Sequence, residues 1–316
     1  MSSFQRILVT GAQGFLGHHI TPKLREAFPK SELVPVGRKD YDLMDPAHVQ
    51  RMFRDIQPDT VIHLAAKSGG ILDNRLHPAD YFHQKMSINL SVFHEAFKSG
   101  AKKFLSFMGG CSYPATARSP IDESQMWQGF PQPESAGYSI AKKMLLVQSW
   151  AYRQQHGFNS VILIPGNVYG EWDNFNLTQS HVIPALLRKY LEALDRKQPE
   201  IVAFGSGRPT RDFVYAGDVA ATIPWFMSNY NSSEPVNISS GTRITIRELA
   251  ETVKDVSGFQ GRIEWDTTQP DGQIDKIFDV TRLHQLGLTC PTSLREGLQK
   301  TMTWFLEARK SGDVRL

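Results

Sequence analysis

Tyr138 and Lys142 stand four residues apart in Tyr-Ser-Ile-Ala-Lys, so on a helix the phenol and the ammonium share one face, a turn apart. Such a pair is suited to acid–base work at a carbonyl. The cation favours the phenolate and draws the phenol from about 10 toward working pH, and the phenol then gives or takes a proton at the carbonyl oxygen. Tyr81 and Lys85 have the same spacing. Position separates the pairs: Tyr138 opens a helix after the loop of a fourth strand, whereas Tyr81 lies in a helix expected to pack on the outside, as scaffold. A second chemistry-bearing string opens the chain, where Gly11, Gly14 and Gly17 form G-x-x-G-x-x-G between an apolar run and an amphipathic stretch. Glycine there lets the backbone turn, approach a pyrophosphate and seat helix against sheet, while the helix start offers N–H groups and a positive dipole end. An NAD site carries an acid about 20 residues further on to bond the ribose 2′-hydroxyl. Here the second strand ends Val36-Gly37-Arg38-Lys39, with no acid before Asp40. A guanidinium matches a 2′-phosphate in charge and geometry, so Arg38 points to NADP(H).

These residues need elements to hold them. Short apolar runs at 6–10, 33–36, 60–64, 103–107 and 160–164 read as buried strands, and longer amphipathic stretches at 15–28, 46–56, 79–99 and 139–156 as helices. Strand and helix in regular alternation predict an α/β fold, a Rossmann-like doubly wound parallel sheet with helices on both faces. Ligands in such sheets lie beyond the carboxyl ends of the strands. After Tyr169 the rhythm breaks: a helix over 181–195, strands at 201–204 and 236–239, a helix over 246–257 capped by Thr245 and a last helix over 294–308. The expected division is an NADP-binding domain over 1–170, with segments returning near 212–241, and a smaller, partly interleaved substrate domain over 171–316. With 316 residues, 41% apolar and 21% charged, the chain is neither disordered nor a membrane protein, and no run approaches the roughly 18–20 apolar residues of a bilayer span. Thirty-five basic against thirty-two acidic residues leave +3, which is no footprint for nucleic acid. Two cysteines, Cys111 and Cys290, are too few for a disulfide framework and predict a reducing, cytoplasmic compartment. No metal site is expected.

Longer strings are more specific: GAQGFLG at 11–17, HLAAKSGGI at 63–71, CSYP at 111–114, YSIAK at 138–142, PGNVYG at 165–170, DNF at 173–175, SHVIPALLRK at 180–189, GSGRPTRDF at 205–213 and DVTRLHQLG at 279–287. Nearly end to end, the chain resembles the extended short-chain dehydrogenase/reductase family, and within it the GDP-L-fucose synthase branch. That resemblance implies NADPH-dependent 3,5-epimerisation and 4-reduction of a GDP-4-keto-6-deoxy sugar. It casts Tyr138 and Lys142 as the reducing pair, and Cys111 and His181 as the acid–base pair of epimerisation. A ketone at carbon 4 acidifies the protons at carbons 3 and 5, which a thiolate removes and an imidazole near neutrality replaces. It also assigns Gly11, Gly14, Phe15, Leu16, Gly17, Arg38, Leu64, Ala65, Lys142, Pro165, Asn167, Val168 and His181 to the cofactor, with Asn167 in the nicotinamide wall. Lys189, Phe204, Arg211 and Asp271 fall to the nucleotide sugar, and the helix over 79–99 to a homodimer interface.

Three residues depart from that branch. Gly109 replaces the serine two residues before the cysteine, whose hydroxyl bonds the substrate carbonyl; losing such a donor costs up to roughly 10²–10³ in rate. Neither Ser106 nor Ser112 is an evident substitute. Lys189 replaces Arg and Phe204 replaces Trp, removing a bidentate fork and an indole N–H. These changes bear on which sugar and base the site takes. A keto-heptose substrate, an epimerase that has lost reduction, and a non-catalytic NADP-binding regulator are the alternatives. A 4,6-dehydratase is disfavoured, because that branch resembles Thr-Asp-Glu where this chain has Gly109-Gly110-Cys111.

Overall fold

The computed structural model describes residues 4–66, 69, 71–177, 179–269 and 271–316, without the side chains of Ile71 and Leu72. Lys67, Ser68 and Gly70 of the 63–71 string therefore lie outside the described residues. The chain runs β1 (Arg6–Thr10), α1 (Phe15–Ala27), β2 (Glu32–Val36), α2 (Pro46–Ile56), β3 (Thr60–His63), α3 (Ile71–Leu76), α4 (Pro78–Lys98), β4 (Lys103–Phe107), α5 (Ala136–His156), β5 (Ser160–Pro165) and β6 (Asn167–Tyr169). It continues through α6 (Val182–Asp195), β7 (Glu200–Phe204), β8 (Thr210–Arg211), β9 (Phe213–Tyr215), α7 (Ala216–Asn229), β10 (Val236–Ile238), β11 (Ile244–Thr245), α8 (Ile246–Ser257), β12 (Arg262–Asp266), β13 (Asp275–Lys276), α9 (Thr281–Gln285) and α10 (Leu294–Ser311).

Six strands form one parallel sheet in the order β10-β5-β4-β3-β1-β2. β4 and β5 are buried along their whole length, as strands covered on both faces must be. On one face Val49, Phe53, Val92, Phe93 and Leu145 of α2, α4 and α5 close over Phe104; on the other, Ile20 and Leu24 of α1 meet Val219, Ile223 and Phe226 of α7. The order reverses at β1, whose neighbours are β2 and β3, and a crevice at the carboxyl edge is the expected result. A separate cluster, with Leu187, Tyr190, Leu249, Val253, Phe259 and Phe305, is built from α6, α8, α10 and the β12–β7 ribbon. Local signals set several ends: Asp45 takes the N–H of Ala47 ahead of Pro46, and Thr245 with Glu248 forms a full capping box.

The structure departs from the sequence reading in placement. α7 was not expected as a helix; it packs on α1, and the chain then enters β10 beside β5. α4 does not hold Tyr81 outside: Tyr81 is 1% exposed and faces Tyr138.

Candidate active site

At the end of β1 the chain turns through Gly11, whose φ of +70° is left-handed and whose position a Cβ would drive to 2.7 Å from the backbone of Ala65. β1 and the segment after β3 thus meet without side chains between them, and Leu64 and Ala65 are fixed by donating their N–H groups to Thr10. Gly14 caps α1 with no side-chain bond and no acid in the first turn. The N–H groups of Phe15, Leu16 and Gly17 consequently have no acceptor within the helix. At Gly17 a Cβ would lie 2.3 Å from the Ala12 oxygen, so the cradle closes only around glycine. Arg38 and Lys39 are exposed after β2, while the Asp40 carboxylate turns back to accept the Gly37 N–H at 2.7 Å. The residues present fit a 2′-phosphorylated dinucleotide: amide donors and a positive helix end for the diphosphate, a guanidinium for the 2′-phosphate, and no free acid in its place.

Across the edge, β4 gives way to Gly109 and a 3-10 turn over Gly110–Ser112 that carries the half-buried free thiol Cys111. Tyr138 sits in the first turn of α5 with Lys142 one turn on; the Lys142 ammonium donates to the Phe107 carbonyl at 2.8 Å, which fixes it to the end of β4. Burial lowers Lys142 to about 8, with negative charge on Cys111 opposing the change. The phenol does not move as the spacing predicts. Burial, then charge on Cys111 and Tyr81, hold Tyr138 above the ordinary tyrosine value, because desolvation disfavours the phenolate. Behind the pair, His63 accepts from the Thr10 hydroxyl at 2.7 Å and donates to Asn89 Oδ1 at 3.2 Å; burial and the charge of Lys142 push it to about 3, so it is neutral scaffold.

Neither nearby serine replaces the missing one: Ser106 donates to the His63 carbonyl and Ser112 to that of Ser139, both buried. Gly109 is open instead. A Cβ there would lie 3.3 Å from Cys111 Sγ and 3.9 Å from the Tyr138 hydroxyl, on extended backbone (φ −134°). Tyr113 of the CSYP string is core: its hydroxyl donates to Asn237 Oδ1 at 2.7 Å and ties the catalytic turn to β10.

β6 carries Asn167 and Val168 beyond Pro165; the Asn167 amide donates to the Asp212 carbonyl at 2.8 Å, leaving its side-chain oxygen outward. His181 caps α6 without a side-chain bond. The residue is exposed, and desolvation of its imidazole lowers its pKa. α6 and β7 bring Lys189 and Phe204 together: the ammonium sits 4.1 Å from the ring centroid and donates to the Val202 carbonyl, while the ring is 61% exposed. Asp271 accepts from the N–H and hydroxyl of Ser206 at 2.6 and 2.7 Å and so shapes the turn behind Phe204. Arg211 spends Nη1 on the carbonyls of Thr210 and Gln273, leaving the rest of its fork.

Lys276, which the sequence reading missed, pairs in register with Arg211 on β13 and feels the charges of Cys111 and Arg211. Its string, DGQID and then Lys276, carries no signal of its own; a two-residue strand is set by its partner, β8.

Among the described residues no cluster of His, Cys, Asp and Glu is placed to hold a metal, and no helix is long and apolar enough to cross a membrane.

Comparison with known proteins agrees with this geometry. The NAD dependent epimerase/dehydratase family matches residues 7–239. GDP-L-fucose synthase 1 of Arabidopsis thaliana is 40% identical over 302 residues, 96% of this chain and 93% of that protein. A GDP-L-fucose synthetase of Naegleria fowleri bound to NADP superposes with a TM-score of 0.90 at 29% identity, over 100% of this chain and 98% of that one. A GDP-6-OMe-4-keto-L-xylo-heptose reductase from C. jejuni gives 0.89 at 25%, over 97% and 99%. With a phosphate cradle at β1, a Tyr–Lys pair at β4 and relatives matched along nearly the whole length, the chain belongs to the NAD dependent epimerase/dehydratase family.

Proposed function

We propose that this protein is an NADP(H)-dependent 3,5-epimerase/4-reductase of a nucleotide 4-keto sugar, with GDP-4-keto-6-deoxy-mannose as default substrate. One observation carries the reading: Cys111 on the turn after β4 lies by Tyr138 and Lys142 of α5, whose ammonium is tied to the end of β4, at the same carboxyl edge where the Gly11–Gly17 turn follows β1. Arg211 and Lys276 take the sugar diphosphate, and Phe204 with Lys189 offers a flat cationic platform to the base; Asp271 supports that platform. Cys111, as thiolate, removes the proton at carbon 3 or 5 and becomes a thiol, and His181 delivers a proton to the opposite face. Tyr138 gives its phenolic proton to the oxygen at carbon 4 as that carbon is reduced, and Lys142 orients the ribose and offsets charge on the phenol. The bound cofactor supplies the hydride. Asn167, Pro165, Val168, Leu64 and Ala65 wall the nicotinamide side, and Gly14 to Gly17 hold the diphosphate.

Exchange and reduction then separate by variant. Tyr138→Phe should lose reduction and keep part of the proton exchange, and Cys111→Ser should do the reverse on an already epimerised substrate. Normal reduction by Tyr138→Phe removes the assignment.

A second reading, a keto-heptose as substrate, is favoured by the space at Gly109 and by the likeness to the heptose reductase.

The chain is read further as two interleaved parts, 1–170 with 212–241 for cofactor and 171–316 for substrate. It is also read as a homodimer on α4 and α5, where Leu90, Val147 and Trp150 are 45%, 40% and 57% exposed. Sedimentation as a dimer, lost in Trp150→Glu, is expected; a monomeric unmodified chain contradicts it. Free Cys111 and Cys290 suit the reducing cytoplasm.

A further inference from the structure

We propose that Lys85 is a positioning residue for Tyr138: its buried ammonium, held against the phenol ring from α4, stabilises the phenolate and takes over part of the work of the hydroxyl donor that Gly109 lacks. The proposal rests on the reading of Tyr138 as the proton donor. Tyr81 and Lys85 are four residues apart on α4, and both point at Tyr138. The Lys85 ammonium lies 5.1 Å from the Tyr138 ring centroid, and the Tyr81 ring meets it edge-on at 6.1 Å and 73°. Lys85 is 1% exposed, a degree of burial that lysine reaches only when paired. Tyr81 is locked in turn, donating its hydroxyl to Asp73 at 2.5 Å.

A cation over an aromatic face is attracted by the ring quadrupole at this range, and it gains more when the ring carries a full negative charge. Among the described residues, the other charged or titratable groups around the phenol are Cys111 on the 3-10 turn, Lys142 on α5 and Tyr81 on α4 with Asp73 of α3 behind it. One shell further are neutral His63 on β3 and Lys276 on β13. Of these, Cys111 and Tyr81 oppose the phenolate. Lys85 approaches the ring over its face from α4, whereas Gly109 lies on the turn after β4 and Lys85 is not among the nearest neighbours of a Cβ there.

The measurement places a trifluorinated tyrosine, whose phenol is more acidic, at position 138 and follows its ionisation by fluorine NMR. The backgrounds are native Lys85, Lys85→Met, Lys85→Gln and Lys85→Arg. Loss of the charge should raise the titration midpoint by about one pH unit and slow NADPH-dependent reduction of GDP-4-keto-6-deoxy-mannose by roughly three- to tenfold, and Lys85→Arg should restore both. Should Lys85→Met fail to fold, the Gln and Arg variants carry the comparison. A midpoint unmoved in Lys85→Met or Lys85→Gln, with Tyr138→Phe inactive, overturns the role of Lys85 and leaves that of Tyr138 standing. Normal reduction by Tyr138→Phe overturns the proposal at its base, even if the fluorine midpoint moves.

Discussion

At the scale of single residues, Gly109 decides more than any other position whether this site reduces as its relatives do. Its backbone is extended and the nearest described neighbours of a Cβ there are the Cys111 sulfur and the edge and hydroxyl of Tyr138, at ordinary or slightly tight distances, so Gly109→Ser should fold. A hydroxyl there reaches the oxygen at carbon 4, where charge builds during reduction. Reduction of GDP-4-keto-6-deoxy-mannose should rise about tenfold or more, with solvent exchange rising less. If the native substrate is bulkier, the same change slows it; rates unchanged on every substrate would strip Gly109 of catalytic meaning. Arg38 makes an independent case. Asp40 is tied to its own turn, so Arg38→Ala should erase most of a preference for NADP(H) over NAD(H), read as the ratio of dissociation constants. Equal affinity in the unmodified protein contradicts this. The strings that carry Tyr138, Lys142 and the glycine loop were legible in the sequence because each is local. It misplaced Tyr81 and Lys85, which match the same spacing, because which face of α4 meets α5 is a property of packing. It missed Lys276 because a lysine in a two-residue strand has no periodicity to read.

At the scale of elements, the connection from β6 to α6 holds a testable charge. Asp173 is 5% exposed; its Oδ1 accepts the Asn174 N–H, and its Oδ2 has no hydrogen-bond partner among the described residues. Burial raises its pKa to about 7, against the pull of the Asn174 N–H and of Arg315, whose carbonyl accepts the Phe175 N–H. The folded value lies above the unfolded one, near 4, so the stabilisation is complete below about pH 4 and is lost as pH rises through 7. Asp173→Asn should therefore flatten the fall in unfolding free energy between pH 4 and 7 and stabilise the protein at pH 8 by roughly 2–4 kcal/mol. A denaturant titration at both pH values checks it, and an unchanged pH slope contradicts it. Elements with a clean period or cap, such as α2, α8 and the strands of the main sheet, were legible to within one residue at each end. α7 was not: its buried residues Val219, Ala220, Thr222, Ile223, Phe226 and Met227 leave no polar stripe, and Pro224 lies inside it. Packing on α1 forms that helix, which neither propensity nor period foretells.

For the whole molecule, the six-stranded sheet and the second cluster around Tyr190 and Phe305 are separate cores, with the short strands β8, β11 and β13 forming a sheet of their own. Two cations, a thiol and a phenol thereby come from segments spread over residues 111 to 276. The central claim is that one site exchanges protons beside the ketone and then reduces it. Purified protein with GDP-4-keto-6-deoxy-mannose and carbon-4-deuterated NADPH in ordinary water, and with unlabelled NADPH in heavy water, tests it by mass spectrometry and NMR of the product. The prediction is cofactor deuterium at sugar carbon 4 in the first case, and solvent deuterium at carbons 3 and 5 in the second, with one NADPH consumed per product. Solvent label without NADPH oxidation would contradict the reductase, and NADPH oxidation without label at carbons 3 and 5 would contradict the epimerase.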